Sequence, residues 1–415
     1  MRLLEGVRVV ECAALFNGDR LGQLLGDLGA DVIKVESPKV GDYLRDFGGQ
    51  IGERQSPAHL QVNKNKRSLT LDFRRNEGRE VFWRLIADAD IVVDGFRYGA
   101  LEKAGVGYEA ITARRPEIVY CSYTGYGARG PYADIATHGQ MMDALAGSVH
   151  VRIAEDGLVK WDKQRSTGNS VDFGGEGTST GAAYAAMMVL AAYTQRLRTG
   201  EGAFLDVAAA DAVVANAWIG VNWALNEHRV TDRTTVATAS TNLYAESDDA
   251  RYQYYATADD KIVLFCAIEP KFWANFLNEV NRPELEEWRE GDADQPVDFA
   301  TDERLRRTLA DVFHTRTSAE WIEVARRCNV ALGPVTGSAG ELRDEPHFVE
   351  RGLFVEGHHP HAGDFTYIAL PGMVRGQQYE VRHHAPLLGE HTAEILTELG
   401  YDKGAQAELR ANDII

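Results

Sequence analysis

A chain of 415 residues, 44% of them apolar and 26% charged, is long enough for two domains with cores of their own and too apolar to be disordered. Its 62 acidic side chains against 44 Lys and Arg leave a formal charge of −18, which excludes broad binding to nucleic acid or to an anionic membrane, since both need basic surface. A small anionic ligand stays open, because a pocket can be locally basic on an acidic protein.

The chain starts on MRLLEGVRVVECA, a strand pattern without the apolar core or cleavage site of a signal peptide. Residues 7–12 (VRVVEC) read as a buried strand, 21–28 have helical spacing stopped by Gly29, and 31–36 (DVIKVE) form a strand closed by Ser37-Pro38. A strand at 67–73 follows, then a helix at 76–87 with Val81, Phe82, Leu85 and Ile86 on one face, then strands at 91–93 and 118–123. Strands alternating with helices predict parallel strands joined by right-handed crossovers, an open Rossmann-like α/β sheet. From Gly174 a glycine-rich turn leads into a tightly packed helix ending at Gly200, and 206–217 read as a second helix of the same core. Its small apolar run, 182–192, is too short to span a bilayer.

The polar stretch 222–250 reads as a crossing linker. A second unit follows, with strands at 252–255 and 262–267 and helices near 271–280, 301–314 and 318–328. The acidic stretch 286–299 reads as a surface loop, and 392–399 as a final amphipathic helix. Cys12, Cys121, Cys266 and Cys328 lie far apart with no CxxC pair, so neither a disulfide framework nor a zinc site is expected, and a reducing, cytoplasmic location fits.

Five segments follow one another along the chain: LLEGVRVVECA…LGQLLGDLGADVIKVESP, NKNKRSLTLD with EGREVFWRLIADADIVVDGFRYGALEKAGVGYE, YCSYTGYGARGPYAD, RTGEGAFLDVAAADA and APLLGEHTAEILTELGY. In that order they resemble the family III CoA-transferase and α-methylacyl-CoA racemase superfamily. The resemblance implies a large open α/β domain, a smaller α+β domain and an interlocked homodimer. On this sequence the large domain would take 1–222 and return at 356–415, with a linker at 223–250 and the small domain at 251–355. It also implies an acyl-CoA thioester as substrate, with coenzyme A entering as part of it and no separate cofactor or metal.

Asp172, in GNSVDFGGEG, reads by itself as an N-cap aspartate for the helix that follows. By resemblance it is the central catalytic group: a nucleophile in the transferases, an acid/base in the racemases. The glycines beside it let a thioester approach the backbone, whose N–H groups can stabilise an enolate or oxyanion. His138 stands where the racemases have a histidine and transferases commonly a tyrosine. Glu269, in AIEP, reads locally as a carboxylate complementing a helix dipole ahead of Pro270, and by resemblance contacts the catalytic histidine. The glycine-rich loop that transferases tend to carry before this region is absent from STNLYAESDDARYQYYATADD. These features favour the racemase branch: His138 and Asp172 would serve opposite faces of an α-carbon, Glu269 would stabilise the charged imidazole, and a 2-methylacyl-CoA would be epimerised through an enolate.

The chain departs from the racemases at Thr137-His138-Gly139, where they have His followed by Asp, and in a longer segment between His138 and Asp172. The alternative is CoA transfer between an acyl-CoA and a carboxylic acid with Asp172 as nucleophile. A non-catalytic CoA-binding subunit is a third reading, which the joint presence of Asp172, His138 and Glu269 opposes. For the phosphates of CoA, the resemblance points to Lys66, Arg97 and Lys103, with Arg67 beside them and Arg45 towards the adenosine end. Trp218, Trp223 and Trp273 are pocket candidates that read equally as core.

Overall fold

A computed structural model describes residues 2–161, 176–231, 249–289 and 297–415. The chain divides into two compact units, Met1–Trp218 with Pro346–Ile415, and Ile219–Glu345.

The larger unit is built on six strands: β1 (Arg8–Cys12), β2 (Asp31–Glu36), β3 (Lys66–Thr70), β4 (Ile91–Asp94), β5 (Val119–Thr124) and β6 (Ala203–Ala208). All pair in parallel, in the order β3-β2-β1-β4-β5-β6. That is the doubly wound order, whose direction reverses between β1 and β4. The central strands are buried along almost their whole length, which is why they read as near-continuous apolar runs. Successive residues face opposite sides of the sheet. Val9 and Val93 join one core with Leu21, Leu25, Ala185 and Val189. Val10 and Val92 join the other with Phe82, Leu85, Ile395 and Leu396.

On the first face lie helix α1 (Phe16–Asp27) and helix α2 (Glu176–Thr199). Gly181 brings α2 down onto β5. A Cβ there would fall 2.8 Å from Tyr123 Cε2, and the Tyr123 hydroxyl donates to the Gly177 and Thr178 carbonyls at 3.1 and 2.9 Å. Gly181→Ala is therefore expected to cost about 1–3 kcal/mol through overpacking, read as a lower denaturant midpoint with unchanged slope.

The sheet corrects one prediction. Residues 206–217 are not one helix, because 206–208 finish β6, with Asp206 in register with Ser122, and a helix runs only over Ala209–Asn216. The alanine-rich run favours helix by propensity, and pairing with β5 overrides it. A short hairpin, Val151–Ile153 with Val159–Trp161, and a longer one, Phe354–His359 with Gly363–Ile368, were not predicted.

The smaller unit has an antiparallel sheet of Leu332–Val335, Ile262–Cys266 and Tyr252–Ala256 against helices Pro270–Val280, Glu303–Phe313 and Ser318–Cys328. Phe265, Trp273, Phe276, Phe313 and Trp321 are buried at its centre, so Trp273 is core. Trp218 is exposed, in the helix Trp218–Asn226 that runs into the stretch expected as linker from 222. All four cysteines are free thiols, and among the described residues no helix is long and apolar enough to cross a membrane.

Candidate active site

The direction reversal of the sheet leaves a crevice at the carboxyl ends of the strands, where ligands bind in open α/β folds. Its floor is the β1–α1 turn, Ala14 to Asn17, and the loop after β4, Gly95 to Tyr98. These two segments pack closely because Gly95 and Gly18 have no side chains: a Cβ on Gly95 would lie 2.8 Å from Ala13 Cβ and 3.0 Å from Gly18 Cα. The loops after β2 and β5 complete a cavity of about 210 Å³.

His138 and Arg97 both line this crevice. The His138 ring is exposed, with Nδ1 3.5 Å from the Tyr43 hydroxyl. Its backbone N–H donates to Met141 Sδ, and Met141 N–H donates to the His138 carbonyl. Gly139, in place of the racemases' aspartate, adopts φ +49°, a left-handed conformation that glycine takes without strain. Burial and the Asp42 charge push the Tyr43 phenol up, so it stays neutral and able to donate. Arg97 and Lys103 are exposed, and among the described residues neither is in an ion pair.

The other predicted cations are tied inside the protein. Lys66 is fully buried, with Nζ 2.7 Å from Glu11 and donating to Asn63 Oδ1 at 3.0 Å. Arg45 is fully buried and bidentate to Glu36 at 3.0 and 2.7 Å. Arg67 pairs with Asp31 at 2.7 Å and Glu398 at 2.6 Å. Buried cations need buried partners, and β1 and β2 supply them for Lys66 and Arg45 as Glu11 and Glu36; Arg67 instead meets the part-exposed Asp31 and Glu398. Glu269 is the N-cap residue of Pro270–Val280 in the smaller unit, half-buried and making no side-chain cap bond. Asp172 lies outside the described residues.

Several groups under the crevice escaped the sequence reading. Asp143 accepts from the N–H groups of Glu176 and Gly177 at 2.8 and 3.3 Å, so α2 has a capping carboxylate other than Asp172. Beneath the floor, the Lys34 ammonium meets Glu11 at 3.2 Å, Asp42 at 3.0 Å, and Asp19, all of them buried. Burial alone would push Lys34 down, but Asp19, Asp42, Glu11 and Glu36 outweigh it and hold it well above its ordinary value. Gly22 makes room for this cluster, since a Cβ there would overlap the Glu11 carboxylate. A signal did exist: Glu11, Lys34 and Glu36 are charged residues among strand positions that are otherwise apolar and buried, after the charged first residues Arg8 and Asp31.

Asp94, at the end of β4, accepts from the Tyr120 hydroxyl at 2.7 Å. Burial holds its carboxyl up at about 7, with the Glu102 charge adding to the effect and Tyr120 opposing it. The folded chain thus keeps, between about pH 4 and that value, a proton that the unfolded chain has released, so stability falls as pH rises through the window, by about 4 kcal/mol at most. Asp94→Asn is expected to raise the thermal midpoint at about pH 8 and to change it little at about pH 4.5.

The sequence profile described as CoA-transferase family III matches residues 4–392. The chain is 31% identical to the succinyl-CoA:glutarate CoA-transferase of Mus musculus, over all of this chain and 91% of that one. It is 29% identical to the formyl-CoA:oxalate CoA-transferase of Streptomyces avermitilis, over the whole of both. A CAIB/BAIF family protein from Brucella suis superposes with a TM-score of 0.71 at 28% identity, covering 96% of this chain and 99% of that one. These relatives correct the choice of branch: the preference for a racemase, drawn from His138, Glu269 and the missing glycine loop, gives way to the transferase alternative. A full-length match of this kind, on a doubly wound sheet with a crevice at its reversal point, places the chain in the CoA-transferase family III.

Proposed function

We propose that this enzyme moves CoA between an acyl-CoA thioester and a free carboxylate, with Asp172 as the nucleophile. The observation that carries the reading is the match, over essentially the whole chain, to relatives that are CoA-transferases. The relatives' names pair short dicarboxylic acids and formate with CoA, so succinyl-CoA as donor and glutarate or oxalate as acceptor are the substrates of first choice.

The chemistry requires a nucleophile that is regenerated. A carboxylate oxygen of Asp172 attacks the thioester carbonyl, the C–S bond breaks, CoA leaves as thiolate and an acyl-aspartyl anhydride forms. The thiolate then attacks the aspartyl carbonyl and releases the first acid. The acceptor carboxylate repeats the sequence in reverse, and the thiolate ends on the acceptor's acyl carbon. Each step exchanges one acyl bond for another, so no oxidant or reductant is consumed. In this reading Arg97 and Lys103 meet the phosphates of CoA, and His138 with Tyr43 offers hydrogen bonds to the reacting carboxylates. A homodimer is part of the reading: in the smaller unit Ile219 and Leu225 are 57% and 67% exposed, apolar side chains that a second copy would cover.

The test is to incubate the enzyme with succinyl-CoA and a panel of acids in D2O, following thioesters by chromatography and mass. New acyl-CoA is expected only when an acceptor acid is present. Deuterium entering the α position of a 2-methylacyl-CoA without any acceptor, together with no transfer, would reject the reading in favour of epimerisation.

A further inference from the structure

Leu15 is the strained point of the crevice floor. Its φ of 64° and ψ of −161° fall in a backbone region almost reserved for glycine, yet the residue is leucine. Such a conformation persists only where the surroundings over-determine it. Here the surroundings are the buried cluster of Lys34 with Glu11, Asp19 and Asp42. The Leu15 N–H donates to both carboxylate oxygens of Asp42, at 3.1 and 3.0 Å. The same carboxylate accepts from Leu44 N–H at 2.8 Å and meets Lys34 Nζ at 3.0 Å. Lys34 in turn donates to the Ala13 carbonyl at 3.1 Å. The turn is therefore gripped on both sides of Ala14, by the acid at Leu15 and by the base at Ala13.

The acid also fixes the opposite wall. Asp42 caps the short helical turn Tyr43–Asp46, and Tyr43 is the residue whose hydroxyl reaches His138 across the crevice. One buried carboxylate thus sets the positions of Leu15 and Tyr43, both of which line the cavity. Asparagine is no substitute. An amide has one acceptor oxygen, whereas the three donors around Asp42 use both of its oxygens, so an NH2 group would face either Lys34 or the two backbone N–H groups.

We propose that Asp42 is a positioning residue for the reaction: through Leu15 and Tyr43 it holds the two walls of the crevice in register, and Lys34 holds Asp42. The reaction it serves is the CoA transfer proposed above, while the grip on the turn is independent of that reading. Displacing groups by about 1 Å from a productive geometry costs about 100-fold in rate, and the loss here is expected mainly in kcat rather than KM.

The experiment is a double-mutant cycle with a structural readout. Asp42→Asn and Asp42→Ala are made in the wild type and in a Leu15→Gly background, and folding is checked by circular dichroism. In the wild-type background either change is expected to lower kcat/KM by about 10- to 100-fold. In the Leu15→Gly background the same change is expected to cost less than about threefold, because glycine adopts the turn without being held. Equal losses in both backgrounds overturn the proposal, as does an unchanged kcat/KM in a folded Asp42→Asn protein. Hydrogen exchange of the Leu15 amide decides the matter without reference to turnover. It is expected to quicken at least about tenfold in Asp42→Asn, and equal protection in variant and wild type overturns the grip. If the wild type transfers no CoA, the proposed reaction fails, and the exchange measurement still judges the clamp.

Discussion

Asp172→Asn is expected to abolish CoA transfer while leaving acyl-CoA binding within a few-fold of wild type. An amide oxygen is a poor nucleophile toward a thioester and yields no stable acyl adduct, so the covalent route is lost and not merely slowed. Loss of a covalent nucleophile costs roughly 10⁴-fold or more in kcat. Binding survives because the groups assigned to CoA, Arg97 and Lys103, are separate side chains on the loop and helix after β4. Two measurements check this. Turnover of succinyl-CoA with glutarate gives the rate loss, and mass analysis of peptides after turnover with ¹⁸O-labelled acid should find label in the wild-type peptide containing Asp172 and none in the variant. A rate within tenfold of wild type in both Asp172→Asn and Asp172→Ala would remove the residue from the mechanism.

Lys34→Met is expected to destabilise the larger unit by about 3–5 kcal/mol at neutral pH. The methionine fills most of the space, so the loss is electrostatic. Three buried carboxylates, Glu11, Asp19 and Asp42, would be left with Lys66 as their nearby cation. The penalty should shrink as the pH drops, because the orphaned carboxylates take up protons more readily than in the wild type. In the wild type Asp42 behaves in the opposite sense, whereas burial and the Asp42 charge hold the Asp19 carboxyl up. Burial would raise the Asp42 carboxyl, but Lys34 and the Leu44 N–H hold it below its ordinary range. Its contribution is then fully present above the unfolded value of about 3.9 and is lost as the pH falls through the folded one. Denaturant titrations at about pH 7 and pH 5 check the sign for the variant, and wild-type titrations below about pH 4 check that for Asp42. With two compact units, two transitions are expected, and only the one belonging to the larger unit should move. Equal stability of Lys34→Met and wild type at neutral pH would show that the cluster contributes nothing net.

The fold was legible where burial writes a continuous pattern. VVEC, VIKV and IVVD could only be covered strands, and the helix expected near 318–328 runs over Ser318–Cys328, where Thr317 and Glu320 form a capping box. β6 was not legible, because AFLDVAAADA carries helix-favouring alanines and becomes a strand only beside β5. Within the site, His138 and Arg97 were found by likeness and do share the crevice. The protein partners of Lys66, Arg67 and Arg45 were not legible for one physical reason: a sequence shows that a side chain is charged but not which neighbour it faces. The register that sets Glu11 beside Lys34, and Lys34 beside Ser68, is a property of the sheet. Asp143 was missed likewise, since its partner lies 33 residues away, and although Asp42 caps the turn that follows it, its hold on Leu15 spans 27 residues.

The larger unit is discontinuous, and this bears on the order in which the protein matures during synthesis. Its second core is closed by Ile395, Leu396, Leu409 and Ile414. β3 and its flanks are latched to the same late segment: Asn65 N–H donates to the His383 carbonyl, Thr70 N–H to Thr392 Oγ1, and Asp72 N–H to the Ile414 carbonyl. The unbroken smaller unit, Ile219–Glu345, has its whole core in hand long before those residues leave the ribosome. A nascent chain therefore carries a finished middle and an open beginning, with the β3 edge of the sheet and its apolar floor bare until residues 383–414 arrive. That window is where a folding chaperone has something to hold.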